Sequence, residues 1–245
     1  MAKPVPLRFE KHGNLRLQDS QDFSQYKTMH LVPVVFHEFY TLATEFPLVF
    51  VRNSERGDFV PVAMMGLTKE QNLYCQESRW DPVFVPSTFT LAPLSLHRLD
   101  DDKGEAVVAI DEQSPLLGED TGEPLFQATG EYTDYLQQRI DQVIKITRQS
   151  LQSRALCDYL ASINLFKTRA LTFQSSAETT RYEVEGVYTI DEERLDKLGD
   201  DEFLELRKRG LIPLLYAHLT SLHQFRRLLR RQDDAERSGT AGFSG

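Results

Sequence analysis

The chain has 245 residues and a net charge of −9, and 40% of its residues are hydrophobic and 27% charged. This composition is typical of a soluble globular protein, and the length suffices for one large domain or two small ones. The acidic balance argues against a general binder of nucleic acid or of anionic membranes, because phosphate contacts need a basic surface.

The sequence predicts a cytoplasmic protein without membrane insertion. Its N-terminus lacks the apolar core of a signal peptide, and its apolar runs are far shorter than the ~20 residues of a membrane helix. Association with the cell surface by a non-classical route stays open. The two cysteines, Cys75 and Cys157, lie far apart in apolar surroundings and are predicted to be buried.

The first half of the chain predicts strands joined by polar turns. Short apolar runs, several rich in valine or aromatic residues, indicate strands at Phe46–Val51, Val60–Leu67, Asn72–Cys75, Leu91–Leu99 and Ala106–Ile110. The polar link from Arg52 to Asp58 predicts a hairpin turn. One helix is expected within this half, at Val34–Glu45, since Pro33 precedes it and Pro47 follows it.

The second half predicts helices. Thr133 is expected to cap a helix whose apolar stripe runs through Leu136, Ile140, Val143, Ile144, Thr147 and Leu151. Alternation over Tyr182–Tyr188 is typical of a strand.

The C-terminal end predicts three further helices. Thr189 and Glu192 fit a capping box before a helix at Glu192–Leu198. Asp200 or Asp201 is expected to cap a helix at Glu202–Lys208, which Gly210 ends. The final helix follows from Gly210 to Arg231.

Together these elements predict an α+β fold. A mostly antiparallel sheet from the N-terminal half is expected to pack against helices mainly from the C-terminal half. No linker divides the chain, so we expect a single domain over residues 1–237, followed by a disordered tail at residues 238–245.

Four polar or aromatic residues beside apolar segments form a candidate catalytic or ligand-binding set: His37, Glu38, Trp80 and Asp111. Asp111 follows a buried-looking strand, where carboxylates often serve as a general base, but where buried strands also return to water. His37 and Glu38 also fit the polar side of a short helix. Trp80 fits a ligand contact or a core edge with its indole N–H bonded to a backbone carbonyl.

The final helix carries two further candidates. His218 is a candidate ligand-binding residue, although its place among leucines favours a core histidine. Arg226, Arg227, Arg230 and Arg231 form a cluster suited to an acidic partner. The alternatives are that they complement the helix dipole at its C-terminal end, or that they neutralise the acidic helices between Asp191 and Glu205.

An ordered series of segments resembles the SapC family of bacterial proteins. The segments are Leu31–Pro33, Glu38–Phe39, Phe46–Phe50, Gly66–Leu67, Asn72–Tyr74, Trp80, Gly122–Phe126, Gly186–Leu195 and Gly210–Leu219. The resemblance runs from about residue 5 to residue 230. It implies a link to bacterial surface layers or to peptide transport or resistance, and it supplies no catalytic residue set.

The sequence therefore favours a non-enzymatic accessory protein that binds a protein or peptide in a cell-envelope process, such as surface-layer function or peptide or nutrient uptake. Homo-oligomerisation stays open, and no metal or cofactor is expected, because nucleotide-binding, nucleophile-elbow and metal-ligand motifs are absent from the sequence. The alternative is a peptide-modifying or metal-dependent enzyme built around His37, Glu38, Trp80 and Asp111. A self-assembling surface-layer subunit is a weaker third interpretation.

Overall fold

The computed structural model describes residues 4–19, 22–76, 79–98, 106–174 and 181–241. Contacts divide the chain into two units. Unit 1 comprises residues 1–21 and 87–149, and unit 2 comprises residues 22–86 and 150–245.

Strands prevail in the first half of the chain, and helices prevail in the second. The strands are β1 (Val5–Pro6), β2 (Arg16–Leu17), β3 (Leu31–Pro33), β4 (Leu48–Arg52), β5 (Phe59–Met64), β6 (Cys75–Gln76), β7 (Arg79–Trp80), β8 (Leu94–Arg98), β9 (Ala106–Ile110), β10 (Leu117–Gly118), β11 (Glu123–Pro124), β12 (Phe166–Gln174) and β13 (Arg181–Ile190). The α-helices are α1 (Phe9–His12), α2 (Phe39–Leu42), α3 (Asp134–Ser162), α4 (Glu192–Asp196), α5 (Asp200–Lys208), α6 (Ile212–Ser221) and α7 (Phe225–Ala241). Short 3₁₀ helices lie at Ser24–Tyr26, Phe36–Glu38, Ser87–Thr90 and Leu222–Gln224.

Unit 1 contains two small antiparallel sheets, in the orders β1–β9–β8 and β10–β2–β11. Its core is formed by buried side chains of these strands, the loop that follows β11 and the first half of α3: Leu7, Leu17, Leu94, Ile110, Leu125, Phe126, Leu136, Ile140 and Val143. The strand predicted at Ala106–Ile110 is confirmed as β9. The strand predicted at Leu91–Leu99 is shorter, as β8, and Leu99 lies outside the described residues.

Unit 2 is built on a five-stranded antiparallel sheet in the order β12–β13–β4–β5–β3. The predicted hairpin between β4 and β5 is confirmed. Its turn is held by the Asn53 side chain, which accepts from the N–H groups of Glu55 and Arg56, and by Gly57 at φ +75°. Helices α4 to α7 follow the last strand of this sheet. The α+β prediction is therefore confirmed.

Two predicted elements of unit 2 are shorter than expected, because distant hydrogen bonds decide their ends. The helix predicted at Val34–Glu45 is reduced to a 3₁₀ turn and α2. The Val34 N–H bonds instead to the carbonyl of Pro61 at 3.1 Å, which holds Val34 in an extended conformation beside β5. The strand predicted at Asn72–Cys75 is a turn as far as Tyr74, since the Asn72 side chain accepts from the Tyr74 N–H at 3.0 Å.

Helix α3 begins as predicted, since Thr133 accepts from the N–H of Leu136 at 3.2 Å. The predicted apolar stripe is correct at Leu136, Ile140 and Val143 and wrong at Ile144 and Leu151, which are 37% and 52% exposed. The buried residues of the second half are Ser153, Cys157 and Leu160. At ~100° per residue, this buried face is rotated by roughly 100° from that of the first half.

Near the C-terminus, two predicted helix caps are wrong and one helix end is confirmed. Thr189 is a buried residue of β13, and Asp191 caps α4 instead. Helix α5 begins after Gly199 and not after an aspartate. The Gly199 N–H donates to the Glu202 carboxylate at 3.3 Å. Gly210 ends this helical segment with φ +68°, as predicted.

The final helix is divided by a 3₁₀ turn and continues further than predicted. Helix α7 reaches Ala241, whereas the sequence places an unstructured tail from Ser238 onwards. The rest of that predicted tail, residues 242–245, lies outside the described residues. Because α7 starts at Phe225, the arginine cluster lies in its first half.

Candidate functional site

The single tryptophan belongs to an aromatic cluster of unit 2. The ring centroid of Trp80 lies 5.6 Å from that of Phe23, 5.9 Å from that of Phe46 and 6.4 Å from that of Tyr74. Its indole N–H donates to the carbonyl oxygen of Phe84 at 3.0 Å. The ring is half-buried, so the sequence interpretation of a core edge with a bonded indole N–H describes this geometry.

A short apolar loop follows Trp80, and the carboxylate of Glu45 holds its backbone through two hydrogen bonds. The two oxygens of Glu45 accept from the backbone N–H groups of Val83 and Phe84, at 3.1 and 3.0 Å. The side chains of this loop nevertheless face water, since Val83 is 81% exposed and Phe84 is 37% exposed. A loop that is held rigidly while it presents apolar side chains loses little conformational entropy when a partner covers it.

Two of the four clustered arginines of α7, Arg227 and Arg231, connect this helix to the rest of unit 2. The guanidinium group of Arg231 lies 4.5 Å from the ring centroid of Tyr74 and forms an ion pair with Asp81. Arg227 donates to the carbonyl oxygen of Thr44 at 3.4 Å. Burial raises the pKa of Tyr74 to about 12, against the opposing effect of the two arginines, so this ring stays neutral.

The other two arginines, Arg226 and Arg230, are exposed and make no hydrogen bond or ion pair with any residue that the structure describes. They lie one turn apart on α7; Arg226 directly precedes Arg227, and Arg230 directly precedes Arg231. We define the arginine surface as Val83, Phe84, Arg226 and Arg230.

Neither alternative from the sequence accounts for these arginines. Helix α7 continues to Ala241, well beyond Arg230, so these two arginines do not lie in its last turn, where the helix dipole favours cations. Among the described residues, no acid between Asp191 and Glu205 forms an ion pair with Arg226 or Arg230. Three of these acids, Asp191, Glu202 and Glu205, pair with other cations: Lys167, Arg194, Lys208 and Arg209.

His218 lies in the core and not on a binding surface. It is 0% exposed, its ring centroid lies 5.1 Å from that of Phe50, and its Nε2 accepts from the N–H of Ile190 at 3.1 Å. Burial lowers the pKa of His218 to about 3, against a smaller opposing effect of the Leu48 backbone. The other ring nitrogen, Nδ1, is buried and has no hydrogen-bond partner among the described residues. This position favours the core-histidine interpretation over a ligand contact.

Ser221, one turn further along, links the same helix to the sheet. Its hydroxyl donates to the carbonyl oxygen of His218 at 2.6 Å and accepts from the N–H of Leu48 at 2.9 Å. The two side chains therefore connect α6 to β13 and β4.

The other predicted site residues are not brought together. His37 is exposed in a 3₁₀ turn, and the Glu38 carboxylate accepts from the N–H of Val35 at 3.2 Å. Asp111, in unit 1, accepts from the N–H of Gln113 at 3.1 Å at the end of β9. Among the described residues of unit 2, no hydrogen bond, ion pair or ring contact joins His37 to Glu38 or to Trp80.

Unit 1 contains an acid–histidine contact that the sequence analysis missed. Buried His12 places its Nε2 2.8 Å from the Glu112 carboxylate, which also pairs with Lys11 at 2.5 Å. These two neighbours lower the pKa of Glu112. The ring Nδ1 lies 2.9 Å from the N–H of Arg8, so His12 closes the first turn of α1. Helix α1 and Glu112 are 100 residues apart in the chain, and no local pattern marks their contact.

Within the described residues, no three or more His, Cys, Asp or Glu side chains cluster in a way that could hold a metal ion. None of the helices described is both long and apolar enough to cross a membrane.

Comparison with known proteins gives one positive result. The family model of SapC matches residues 7–228, nearly the whole chain. No curated protein and no solved structure matches the chain significantly. The series of segments from Leu31 to Leu219 identified in the sequence lies within the matched range, and the chain belongs to the SapC family.

Proposed function

We propose that this SapC protein is a non-enzymatic accessory protein that binds a partner protein or peptide in a process of the bacterial cell envelope, and that it acts from the cytoplasm. The arginine surface carries this proposal. It combines apolar side chains on a rigidly held loop with two guanidinium groups that no described residue neutralises.

The charge of the surface indicates the chemistry of the partner. Arg226 and Arg230 sit on a chain of net charge −9, so they form a local basic patch on an acidic protein. An acidic segment with apolar side chains would pair with the arginines and cover Val83 and Phe84. Arginine is suited to this role, because its planar group binds carboxylates through two parallel hydrogen bonds.

Contacts between α7 and the residues beside the Val83–Phe84 loop support the proposal that the arginine surface is continuous. Asp81 precedes the loop and pairs with Arg231, while Thr44 precedes Glu45 and accepts from Arg227. These contacts hold the first half of α7 beside the loop. A second copy of the chain is a poorer occupant of this surface, since a symmetric contact would bring like charges together.

The test is capture of a partner from extracts of the native cells by the immobilised full-length chain. The wild type is compared with Arg226→Glu/Arg230→Glu, with Val83→Ser/Phe84→Ser, and with a control, Lys145→Glu/Arg148→Glu. The control reverses two exposed cations on α3 of unit 1. We expect one stoichiometric partner, retained by the wild type and the control and lost by both surface variants.

Two results would count against the proposal. One is an inert chain that retains no stoichiometric partner. The other is a partner that all four proteins retain equally, which would show that binding does not involve the arginine surface.

A further inference from the structure

A second surface, in unit 1, has the composition of a site for a cation. A groove of about 630 Å³ opens at the end of α1, beside the loop that precedes α3. Three of its lining residues are aromatic, and a single charged residue, the acidic Glu131, lines it. The lining residues are Leu7, Phe9, Phe126, Gln127, Gly130, Glu131, Tyr132 and Gln137.

The three aromatic rings form one cluster, with the buried ring of Phe126 between the exposed rings of Phe9 and Tyr132. Phe126 is 6% exposed, and its ring centroid lies 5.5 Å from both that of Phe9 and that of Tyr132. The outer rings are inclined to it by 62° and 60°. Phe9 and Tyr132 are 40% and 41% exposed, so their surfaces are open to a ligand. Aromatic faces carry partial negative charge and attract cations.

The backbone holds these rings in place. A Cβ atom at Gly130, where φ is +89°, would lie 3.2 Å from the Phe9 ring, and one at Gly13 would lie 2.9 Å from it. Glycine at both positions lets the ring lie against the main chain. The Gln127 side chain donates to the carbonyl oxygen of Tyr132 at 3.0 Å, and the Gln127 N–H donates to that of Glu131 at 2.8 Å, which fixes the loop.

The charge beside the rings is not neutralised. The Glu131 carboxylate accepts one long hydrogen bond from Thr129, at 3.4 Å, and forms no ion pair among the described residues. Lys11, the lysine of α1, is already paired with Glu112. The groove therefore offers π faces and a carboxylate, without a cation to occupy them.

We propose that this groove binds a peptide segment of another protein through an arginine side chain. The guanidinium group would stack on an exposed ring and donate hydrogen bonds to Glu131, an arrangement that its planar shape allows and that the ammonium of lysine cannot reproduce. This chain uses the same contact internally, since Arg209 lies 4.2 Å from the ring centroid of Tyr159. The proposal is independent of the arginine surface in unit 2.

The test is titration of the full-length chain with two tripeptide probes, acetyl-Gly-Arg-Gly-amide and acetyl-Gly-citrulline-Gly-amide. The two differ only in the charged group. NMR shifts of the Phe9 and Tyr132 rings report binding. We expect saturable binding of the arginine probe with a Kd on the order of 1–10 mM, and binding of the citrulline probe weaker by at least about threefold.

Variants distinguish this specific contact from nonspecific binding of the probe. Glu131→Gln and Tyr132→Leu should each weaken arginine binding by about threefold or more, while Tyr132→Phe keeps the π face and should retain it. Circular dichroism confirms that each variant is folded. Three results would overturn the proposal. They are equal binding of both probes, binding that does not saturate up to roughly 20 mM, and arginine binding that Glu131→Gln and Tyr132→Leu leave unchanged. A dimer in solution that Glu131→Gln dissociates would also overturn it, by assigning the groove to a second copy.

Discussion

The groove of unit 1 and the arginine surface of unit 2 use aromatic rings and charge in opposite ways. In unit 2 the contact between a ring and a cation is internal, with Arg231 over the buried ring of Tyr74. The exposed Arg226 and Arg230 of the same helix form no hydrogen bond or ion pair with a described residue. In unit 1 the rings of Phe9 and Tyr132 are exposed beside Glu131, and the cation is missing. The contact between an aromatic ring and a cation therefore stabilises the fold in unit 2, where the chain supplies both groups. In unit 1 the described residues supply only the rings, so the contact is available to a binding partner.

The largest expected effect concerns acid. The pKa of His218 is about 3 when folded and near 6.5 when unfolded. The stability contributed by the neutral ring is therefore complete above pH 6.5 and is lost as the pH falls toward 3, because only the unfolded state takes up the proton. Between pH 6.5 and 4 this loss is on the order of 3 kcal/mol.

His218→Gln preserves an acceptor for Ile190 without a titrating ring. Urea unfolding at pH 7, 5.5 and 4 should give a variant whose free energy of unfolding depends less steeply on pH than that of the wild type. Parallel pH profiles for the two proteins would contradict the assignment.

A smaller effect separates the two arginine pairs of α7. Arg231→Met removes the ion pair with Asp81 and the cation over Tyr74, and should lower the free energy of unfolding by about 1–2 kcal/mol. Arg230→Met, at the exposed neighbouring position, is the matched control and should change it by less than about 0.5 kcal/mol. Urea denaturation measures both. Equal losses would show that the distinction between structural and free arginines is wrong.

In the groove, Gly130→Ala should cost about 1–2 kcal/mol, because alanine at φ +89° is strained and its Cβ meets the Phe9 ring. The same substitution should displace that ring and weaken the arginine probe. Gly118→Ala is the control, since the nearest atom to a Cβ there lies at 3.9 Å and its φ is not left-handed. Thermal unfolding and NMR of the Phe9 ring test the pair; no difference between them would contradict the described packing.

The smallest effect is expected where binding is proposed. Arg226→Gln/Arg230→Gln should alter the free energy of unfolding by less than about 0.5 kcal/mol, as neither side chain has a partner among the described residues. Its only consequence should be loss of the captured partner. A large loss of stability would mean that these arginines are structural, like Arg231.

Local sequence rules predicted the parts of the fold that depend on local interactions. The cap at Thr133 and the glycine at Gly210 follow from hydrogen bonding and backbone freedom within one turn, and both are present. The helix expected from Val34 fails because Pro61 and Ser153, the latter 117 residues from Phe36, take the N–H groups of Val34 and Phe36. No window of sequence contains those partners.

The candidate site divides in the same way. The indole bond of Trp80 and the core position of His218 could be anticipated from their neighbours in the chain. The groove could not, because Phe9 lies more than 100 residues before Phe126 and Tyr132, and the three become one surface only after folding. The split between free and engaged arginines likewise depends on Asp81, Tyr74 and Thr44, which are remote in sequence.

The most direct test of the proposed function is photo-crosslinking in the native cells, with p-benzoylphenylalanine in place of Phe84. Phe203, another exposed aromatic residue of unit 2, is the control position. The proposal predicts a single cross-linked protein from position 84, none from position 203, and loss of the product when Arg226→Glu/Arg230→Glu is added. No product at position 84, or a product unaffected by the two charge reversals, would contradict it.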